Sequence, residues 1–178
     1  MRSERYLSGR WILFTVVVCL ACGLAEGENR VGVRLISDTE VAVPGSEIRV
    51  GVLFDIPARS HIYWKNPGDS GLATGVDWSV NGESESIELR WPAPRQFSIE
   101  GLDNEVYFGY TRQVVLFGSF AVPPNAVAGS ILKIDARAYW LLCLDDGVCI
   151  PEDQESSISI GVEAESRKAY ESATLDRF

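Results

Sequence analysis

The sequence predicts an all-β fold, a sandwich or barrel in a single domain, on two observations. Short segments with apolar residues at every second position recur along the chain, and this is the periodicity of half-buried strands. Clusters of Pro, Gly, Asn and Asp separate the segments, and such clusters end helices and reverse the chain direction. Many short strands joined by frequent turns are typical of sandwiches and barrels. With 178 residues, of which 46% are hydrophobic, the chain suffices for one core of ordinary size.

The predicted elements follow from these two signals in chain order. The alternating segments, which we expect to be strands, are residues 31–36, 47–54, 87–91, 114–122, 131–139 and 157–162. The turn clusters between them are residues 44–46, 66–71, 81–82, 92–94 and 123–125. We expect the large aromatic side chains beside these segments to fill a core between two sheets, namely Tyr63, Trp64, Trp78, Trp91 and Trp140. Residues 164–178 mix polar residues and Ala in a pattern that suits a helix or a tail.

The first 25 residues are predicted to be a signal peptide. Arg2, Arg5 and Arg10 precede a short apolar run, which is followed by small residues up to a cleavage site after Ala25. The run is short for a membrane span. A minor alternative is a lipid anchor on Cys22, because residues 20–23 resemble a lipid-attachment box. The domain prediction is therefore a signal peptide over 1–25, a β-sandwich domain over 26–163 and a helix or tail over 164–178, in an exported, periplasmic protein.

Charge restricts the classes of partner. The chain without its first 25 residues has 13 basic and 24 acidic residues, which gives a formal charge of −11. Such an acidic domain is a poor match for nucleic acid and for anionic membrane surfaces. The sequence also offers no phosphate-binding glycine loop, so we expect no small-molecule cofactor.

Cys143 and Cys149 are the two cysteines that remain after the signal peptide, and their spacing allows a disulfide. The intervening residues suit a hairpin with a three-residue loop, in which Gly147 occupies the left-handed position. That register places Cys143 directly opposite Cys149, within the Cα separation that a disulfide can bridge. A bridge across so small a ring removes little entropy from the unfolded chain, about 3 kcal/mol at most, so stability is a weak reason for it.

Spacing alone leaves several functions open for the pair. Most bridges in exported proteins are structural, and a structural bridge in a binding or assembly module is one alternative. Copper handling by the two thiols is another, although the chain has one Met and one His. A zinc site lacks ligands, since His61 is the single histidine and is assigned an ordinary structural role. We therefore expect no metal. No sequence pattern places a catalytic base beside Cys143, which argues against protease-type catalysis.

Four motifs in matching order resemble the N-terminal periplasmic domain of the DsbD family of thiol:disulfide interchange proteins. They are Tyr63-Trp64-Lys65-Asn66-Pro67-Gly68-Asp69-Ser70-Gly71, Trp91-Pro92-Ala93-Pro94, Phe108-Gly109-Tyr110 and Cys143 to Cys149-Ile150-Pro151. The resemblance runs from about Val33 to Val162 and is greatest to the variant found in copper-tolerance-associated membrane reductases. It implies an immunoglobulin-like β-sandwich.

The resemblance also implies a function and a site. Cys143 and Cys149 are expected to be the catalytic exchange pair, and Tyr107, Phe108 and Gly109 to belong to an aromatic cap loop over residues 104–110, with Tyr107 the preferred capping ring. The expected partners are a membrane-embedded or thioredoxin-like electron donor and oxidised periplasmic thiol proteins, among them disulfide isomerases and cytochrome c maturation factors. Full-length family members continue into membrane and thioredoxin-like domains, whereas this sequence ends at Phe178, so we expect a separate electron donor. The resemblance assigns no chemistry to residues 66–71.

Overall fold

The computed structural model describes residues 30–98, 105–165, 167–169 and 171–178. The predicted signal peptide, Cys22 and Asn104 lie outside these residues. Within them the chain forms twelve strands and one short helix. The elements are β1 (Gly32–Ser37), β2 (Thr39–Ala42), β3 (Glu47–Asp55), β4 (Ser60–Gly68), β5 (Gly75–Val80), β6 (Glu83–Glu85), β7 (Arg95–Ser98), β8 (Val106–Tyr110), β9 (Gln113–Ala121), β10 (Ile131–Leu144), β11 (Cys149–Val162), β12 (Arg167–Lys168) and α1 (Ser172–Leu175).

The strands form two sheets that pack face to face, so the predicted all-β, immunoglobulin-like sandwich is confirmed. One sheet has the order β1-β3-β9 and is antiparallel. The larger sheet has the order β12-β2-β11-β10-β4-β8-β7, and β5 with β6 extends it along part of β10. In the larger sheet β2 and β11 pair in parallel, while the other ladders are antiparallel. No helix in the described ranges has the length and apolar character needed to cross a bilayer.

The core lies between the sheets and follows the alternation of the strands. Leu132, Ile134, Ala136, Ala138, Trp140 and Leu142, every second residue of β10, are buried in the main core cluster. From the facing sheet, the ring of Phe54 meets that of Trp140 edge to face, with 5.6 Å between ring centroids. Trp78 and Trp140 are buried in this core as predicted, and Trp64 and Trp91 pack against it partly buried. Tyr63 is also buried but does not belong to this cluster.

Five of the six predicted strands are present, and the prediction for residues 87–91 is wrong. In that segment a single bridge joins Arg90 to Phe117 of β9. Ile87 is buried and packs so closely on Gly118 of β9 that a Cβ at Gly118 would clash with it. The alternation of apolar residues over 87–91 therefore reflects packing against β9 without a hydrogen-bonded ladder. The following Pro92 and Pro94 have no N–H to continue such a ladder.

The C-terminal segment packs on the outer face of the three-stranded sheet. Leu175 of α1 is 1% exposed and contacts a small second cluster made of Ile36, Leu53 and Val115. Arg49 forms an ion pair with Asp176, with 2.6 Å between the paired atoms. This attachment lies on the smaller sheet, whereas both cysteines lie in the larger one.

Candidate redox site at the β10–β11 hairpin

The hairpin between β10 and β11 has the predicted turn. Gly147 has a φ of 87°, the left-handed conformation that glycine adopts most readily. Its N–H donates to the carbonyl of Leu144 at 3.0 Å, and the N–H of Leu144 donates to the carbonyl of Val148 at 2.8 Å. Residues 145–147 therefore form the three-residue loop, and the ladder continues directly into the next pair, Cys143 and Cys149.

Cys143 and Cys149 face each other and are joined by a disulfide, with 4.1 Å between their Cα atoms. So short a separation is typical of a non-hydrogen-bonded antiparallel pair, whose side chains lie closest together. Cys149 is exposed, and so are its neighbours Val148 and Ile150. Cys143 is only 2% exposed. The bridge is therefore asymmetric, because Cys149 is accessible to solvent and Cys143 is not.

The burial of Cys143 breaks the pattern of its strand. Leu142 faces the core between the sheets, so Cys143 points to the opposite, outer face. The other residues of β10 on that face are exposed or half-buried, among them Arg137, Tyr139 and Leu141. Cys143 is therefore covered by something other than the main core.

A group of four rings lies on this outer face, His61, Tyr63, Phe97 and Tyr107, which we call the aromatic cluster. Two of its members adjoin Cys143, since His61 faces it in the strand register and Tyr63 contacts its sulfur. The rings of Phe97 and Tyr107 stack with 5.1 Å between centroids and 8° between planes. Tyr107 also stacks on His61 at 4.9 Å, and Tyr63 meets the edge of His61 at 5.1 Å. These rings come from β4, β7 and β8, and pairing of those strands places all four on one face.

Tyr63 makes the direct polar contact to the bridge. Its hydroxyl lies 3.5 Å from Cys143 Sγ and is the donor, because a disulfide sulfur carries no proton. Burial raises the pKa of the Tyr63 hydroxyl, while a hydrogen bond with Ser70 opposes the shift. The hydroxyl therefore stays protonated and able to donate to sulfur at neutral pH.

Tyr107 belongs to the aromatic cluster, whereas the other two predicted cap residues have different surroundings. The ring of Phe108 meets Trp64 at 6.2 Å, and the strand alternation points it to the opposite face from Tyr107. Gly109 pairs with Tyr63, and a Cβ on it would lie 2.3 Å from the carbonyl oxygen of Ile62. The expectation of a loop is corrected, because residues 106–110 form β8, which pairs with β4 on one edge and β7 on the other.

His61 is the residue that sequence reasoning missed. The register of β4 and β10 places it directly opposite Cys143, so a potential base does lie beside this cysteine. His61 is 9% exposed, and burial lowers the pKa of its imidazole, while the carboxylate of Asp145 opposes the shift. No local pattern reveals this contact, because it depends on the pairing of two strands far apart in the chain.

Asp145 and Asp146 place two carboxylates in the turn beside the pair. Arg59 approaches Asp145 at 3.3 Å, and both side chains are well exposed. An exposed ion pair of this kind is screened by solvent and contributes little to stability. It nevertheless places a cation beside one of the two negative charges at the hairpin.

Comparisons with known proteins bear on the family and on the fold of the chain. The family model described as "Thiol:disulfide interchange protein DsbD, N-terminal" matches residues 33–159, more than half of the chain. No curated protein matches the sequence. The structure is similar to the N-terminal periplasmic domain of ScsB from Proteus mirabilis, with a TM-score of 0.58 and 16% identity. That match covers 85% of this chain and 53% of the other, so the chain spans about half of the ScsB domain.

A second similar structure is the reduced N-terminal domain of DsbD from Neisseria meningitidis. Its TM-score is 0.42 at 15% identity, and the match covers 75% of this chain and 89% of that one. At its low identity the ScsB structure shows the fold alone, and the family follows from the sequence model. The chain belongs to the family of the N-terminal domain of the thiol:disulfide interchange protein DsbD.

Proposed function

We propose that this chain is an exported, periplasmic thiol–disulfide oxidoreductase whose pair Cys143 and Cys149 passes electrons to oxidised envelope proteins. The observation that carries the proposal is the asymmetry of the bridge on the outer face. Cys149 is exposed, while Cys143 is buried beneath an aromatic cluster that is separate from the core between the sheets. Family membership supports the same activity. Export rests on the predicted signal peptide.

The asymmetry supports different roles for the two sulfurs. In the reduced protein the exposed Cys149 thiolate attacks a disulfide of the partner, and one partner sulfur leaves as a thiolate. Cys143 then attacks Cys149 Sγ in this mixed disulfide and expels the second partner sulfur. The partner gains two electrons and the Cys143–Cys149 bridge re-forms. A membrane-embedded or thioredoxin-like donor restores the two thiols by the reverse exchange.

Within this function Tyr107 is the cap. Its ring stacks on His61 and Phe97 on the face that carries the bridge, and it is only half-buried. A partly exposed aromatic ring covers a large apolar area and has few rotatable bonds, which suits a cover that opens when a partner docks. Because Cys149 is exposed in the closed arrangement, the cluster protects mainly Cys143.

The reduction potential of the pair tests the proposal. We expect the purified mature protein, equilibrated with glutathione redox buffers, to have a potential above about −300 mV, because structural bridges are typically more resistant to reduction than that. A potential below this value would favour the alternative, a binding or assembly domain with a structural disulfide. Quantifying free thiols by alkylation and mass spectrometry gives the oxidised fraction directly.

Single-cysteine variants test the assignment of the two sulfurs. Cys143→Ser retains the exposed Cys149, so we expect it to accumulate mixed disulfides with envelope thioredoxin-like proteins. Cys149→Ser retains the buried Cys143 and should accumulate fewer adducts. The reverse order would assign the first attack to Cys143. If neither variant forms an adduct above the level of the double Ser variant, the bridge is structural.

A further inference from the structure

His61, the single histidine of the sequence, is buried beside the covered cysteine of the bridge. The β4–β10 register places it opposite Cys143. Facing residues of antiparallel strands have Cβ atoms only about 4.5 to 5.5 Å apart, on the same face of the sheet. Its Nε2 atom is buried and has no hydrogen-bond partner among the described residues. A buried imidazole nitrogen without a partner costs free energy of folding, and a functional role is one reason why such a group is present in a native structure.

The groups around His61 define its charge state. Tyr107 and Phe97 stack on its ring, and Tyr63 meets its edge. Asp145 is the carboxylate that acts on it electrostatically. Two arginines lie near these neighbours of His61, and each contacts one of the neighbours. Arg59 pairs with Asp145, and Arg95 lies over the ring of Phe97 at 5.9 Å.

Burial dominates this balance and lowers the pKa of His61 below its ordinary value. The imidazole is therefore neutral at pH 7 and can accept a proton. Tyr63 cannot take that role, because burial raises the pKa of its hydroxyl and it remains a donor. The two neighbours of Cys143 thus differ in chemistry, one a hydrogen-bond donor and the other a base.

The exchange reaction needs such a base. A thiol is a nucleophile only as its thiolate, and burial disfavours the charged form. Cys143 is 2% exposed in the oxidised protein and must nevertheless attack the mixed disulfide at Cys149. Without a local proton acceptor, its thiolate fraction at neutral pH would limit release of the partner.

We propose that His61 accepts the proton of the Cys143 thiol, so that Cys143 can attack Cys149 Sγ and release the partner. This inference rests on the proposed exchange function. In the step, the S–H bond of Cys143 breaks and its proton moves to the imidazole. The Cys143–Cys149 bond forms, and the bond from Cys149 to the partner sulfur breaks. The partner leaves as a thiolate, and the imidazolium returns the proton to that thiolate or to water. The Tyr63 hydroxyl stabilises the Cys143 thiolate by its hydrogen bond.

Reaction of the reduced protein with 5,5′-dithiobis(2-nitrobenzoate) separates the two thiol steps. Attack by Cys149 releases one coloured thiolate, and attack by Cys143 on the resulting mixed disulfide releases the second. The matched variants are His61→Phe, which keeps a stacked ring, and His61→Gln, which keeps a polar group. We expect the second phase to slow at least about tenfold at pH 7 in both variants, since a positioned base typically contributes that much or more. The first phase should change less than about twofold, because Cys149 is exposed.

The pH profile distinguishes proton transfer from a merely structural role. In the wild type the second-phase rate should be nearly constant between about pH 7 and pH 8.5, because the thiol and imidazole share one proton. In His61→Phe it should rise about tenfold per pH unit up to the pKa of an unassisted thiol. Parallel profiles for wild type and variant overturn the role of His61. A wild type with no second phase overturns the exchange function itself.

A measurement on the wild type does not depend on how well a variant folds. Because the chain has one histidine, its imidazole resonance in an NMR titration is unambiguous. We expect the imidazole titration to differ between the reduced and the oxidised protein, since in the reduced protein a proton shared with the Cys143 thiol couples the two titrations. In Cys143→Ser, which lacks this thiol and cannot form the bridge, the imidazole should titrate as it does in the oxidised wild type. An identical titration of the reduced and oxidised wild type would overturn the inference.

Discussion

At the scale of residues, the covered sulfur of Cys143 is the feature that separates this bridge from a simple surface hairpin disulfide. The ring of Tyr107, which we propose as the cap, stacks on His61 and is only half-buried. Phe108, its neighbour in β8, packs against Trp64 on the other side of the strand. The two adjacent aromatic residues therefore provide a matched pair of variants for testing the cap.

We expect Tyr107→Ala to accelerate reduction of the disulfide by dithiothreitol by roughly two- to tenfold, because it opens the buried sulfur to attack as well as the exposed one. Its cost in stability should be below the roughly 3 to 5 kcal/mol of a buried ring. Phe108→Ala is the control, expected to leave the reduction rate unchanged. If both variants are reduced at the wild-type rate, or if Tyr107→Ala unfolds, Tyr107 is not the cap.

At the scale of elements, residues 66–71 hold Tyr63 in place, which gives a structural role to a motif whose chemistry was unassigned. The segment is tied to β8 by the N–H of Asp69, which donates to the carbonyl of Val106 at 3.0 Å. Gly71 lies against the ring of Tyr63, where a Cβ would come within 2.3 Å of Cε1. Thr74 donates its hydroxyl to the carbonyl of Tyr63 at 2.6 Å. The segment of residues 66–71, which begins in β4, thus helps to position the Tyr63 hydroxyl that contacts Cys143.

Gly71→Ala should therefore displace the ring of Tyr63 and change the reduction kinetics of the bridge. The matched control is Gly82→Ala, because both glycines have a left-handed φ, 97° and 86°, and a Cβ at Gly82 meets nothing within 4 Å. Both substitutions carry a backbone cost of about 1 kcal/mol or more, and only Gly71→Ala adds a clash. Thermal unfolding and dithiothreitol reduction measure the two effects. Equal behaviour of the variants would show that this segment does not position Tyr63.

At the scale of the whole molecule, Tyr110 links β8 to the core between the sheets. It is 5% exposed, belongs to the main core cluster, and its hydroxyl donates to the carbonyl of Pro92 at 2.7 Å. Burial raises its pKa well above the ordinary value of tyrosine. The folded protein therefore holds this proton at pH values where the unfolded chain has lost it.

This difference predicts a loss of stability in alkali. The stabilisation is fully present below about pH 10, the pKa in the unfolded chain, and it is lost as the pH rises toward the raised folded-state pKa. Each retained proton contributes a slope of at most about 1.4 kcal/mol per pH unit. We expect Tyr110→Phe to show a shallower decline above pH 10 in denaturant titrations, although it loses a hydrogen bond. An equally steep decline would show that Tyr110 is not the group responsible.

The sequence by itself determined the all-β class and the pairing of the two cysteines. Both depend on local signals, since strand alternation and the Gly147 turn act over a few residues. The same local signals miss β4, because Ser60, His61, Ile62 and Tyr63 are all buried and show no alternation. The first four residues of that strand are buried on both faces, which removes the periodicity that reveals a half-exposed strand.

Only the tertiary structure decided which sulfur is covered and by what. The aromatic cluster assembles from β4, β7 and β8, and it reaches Cys143 through the pairing of β4 with β10. Tyr63 and Cys143 are 80 residues apart in the chain yet their side chains meet. Strand order and register are set by the total burial of apolar surface in the sandwich, which no short segment encodes. The position of His61 beside the thiol is a consequence of that global register.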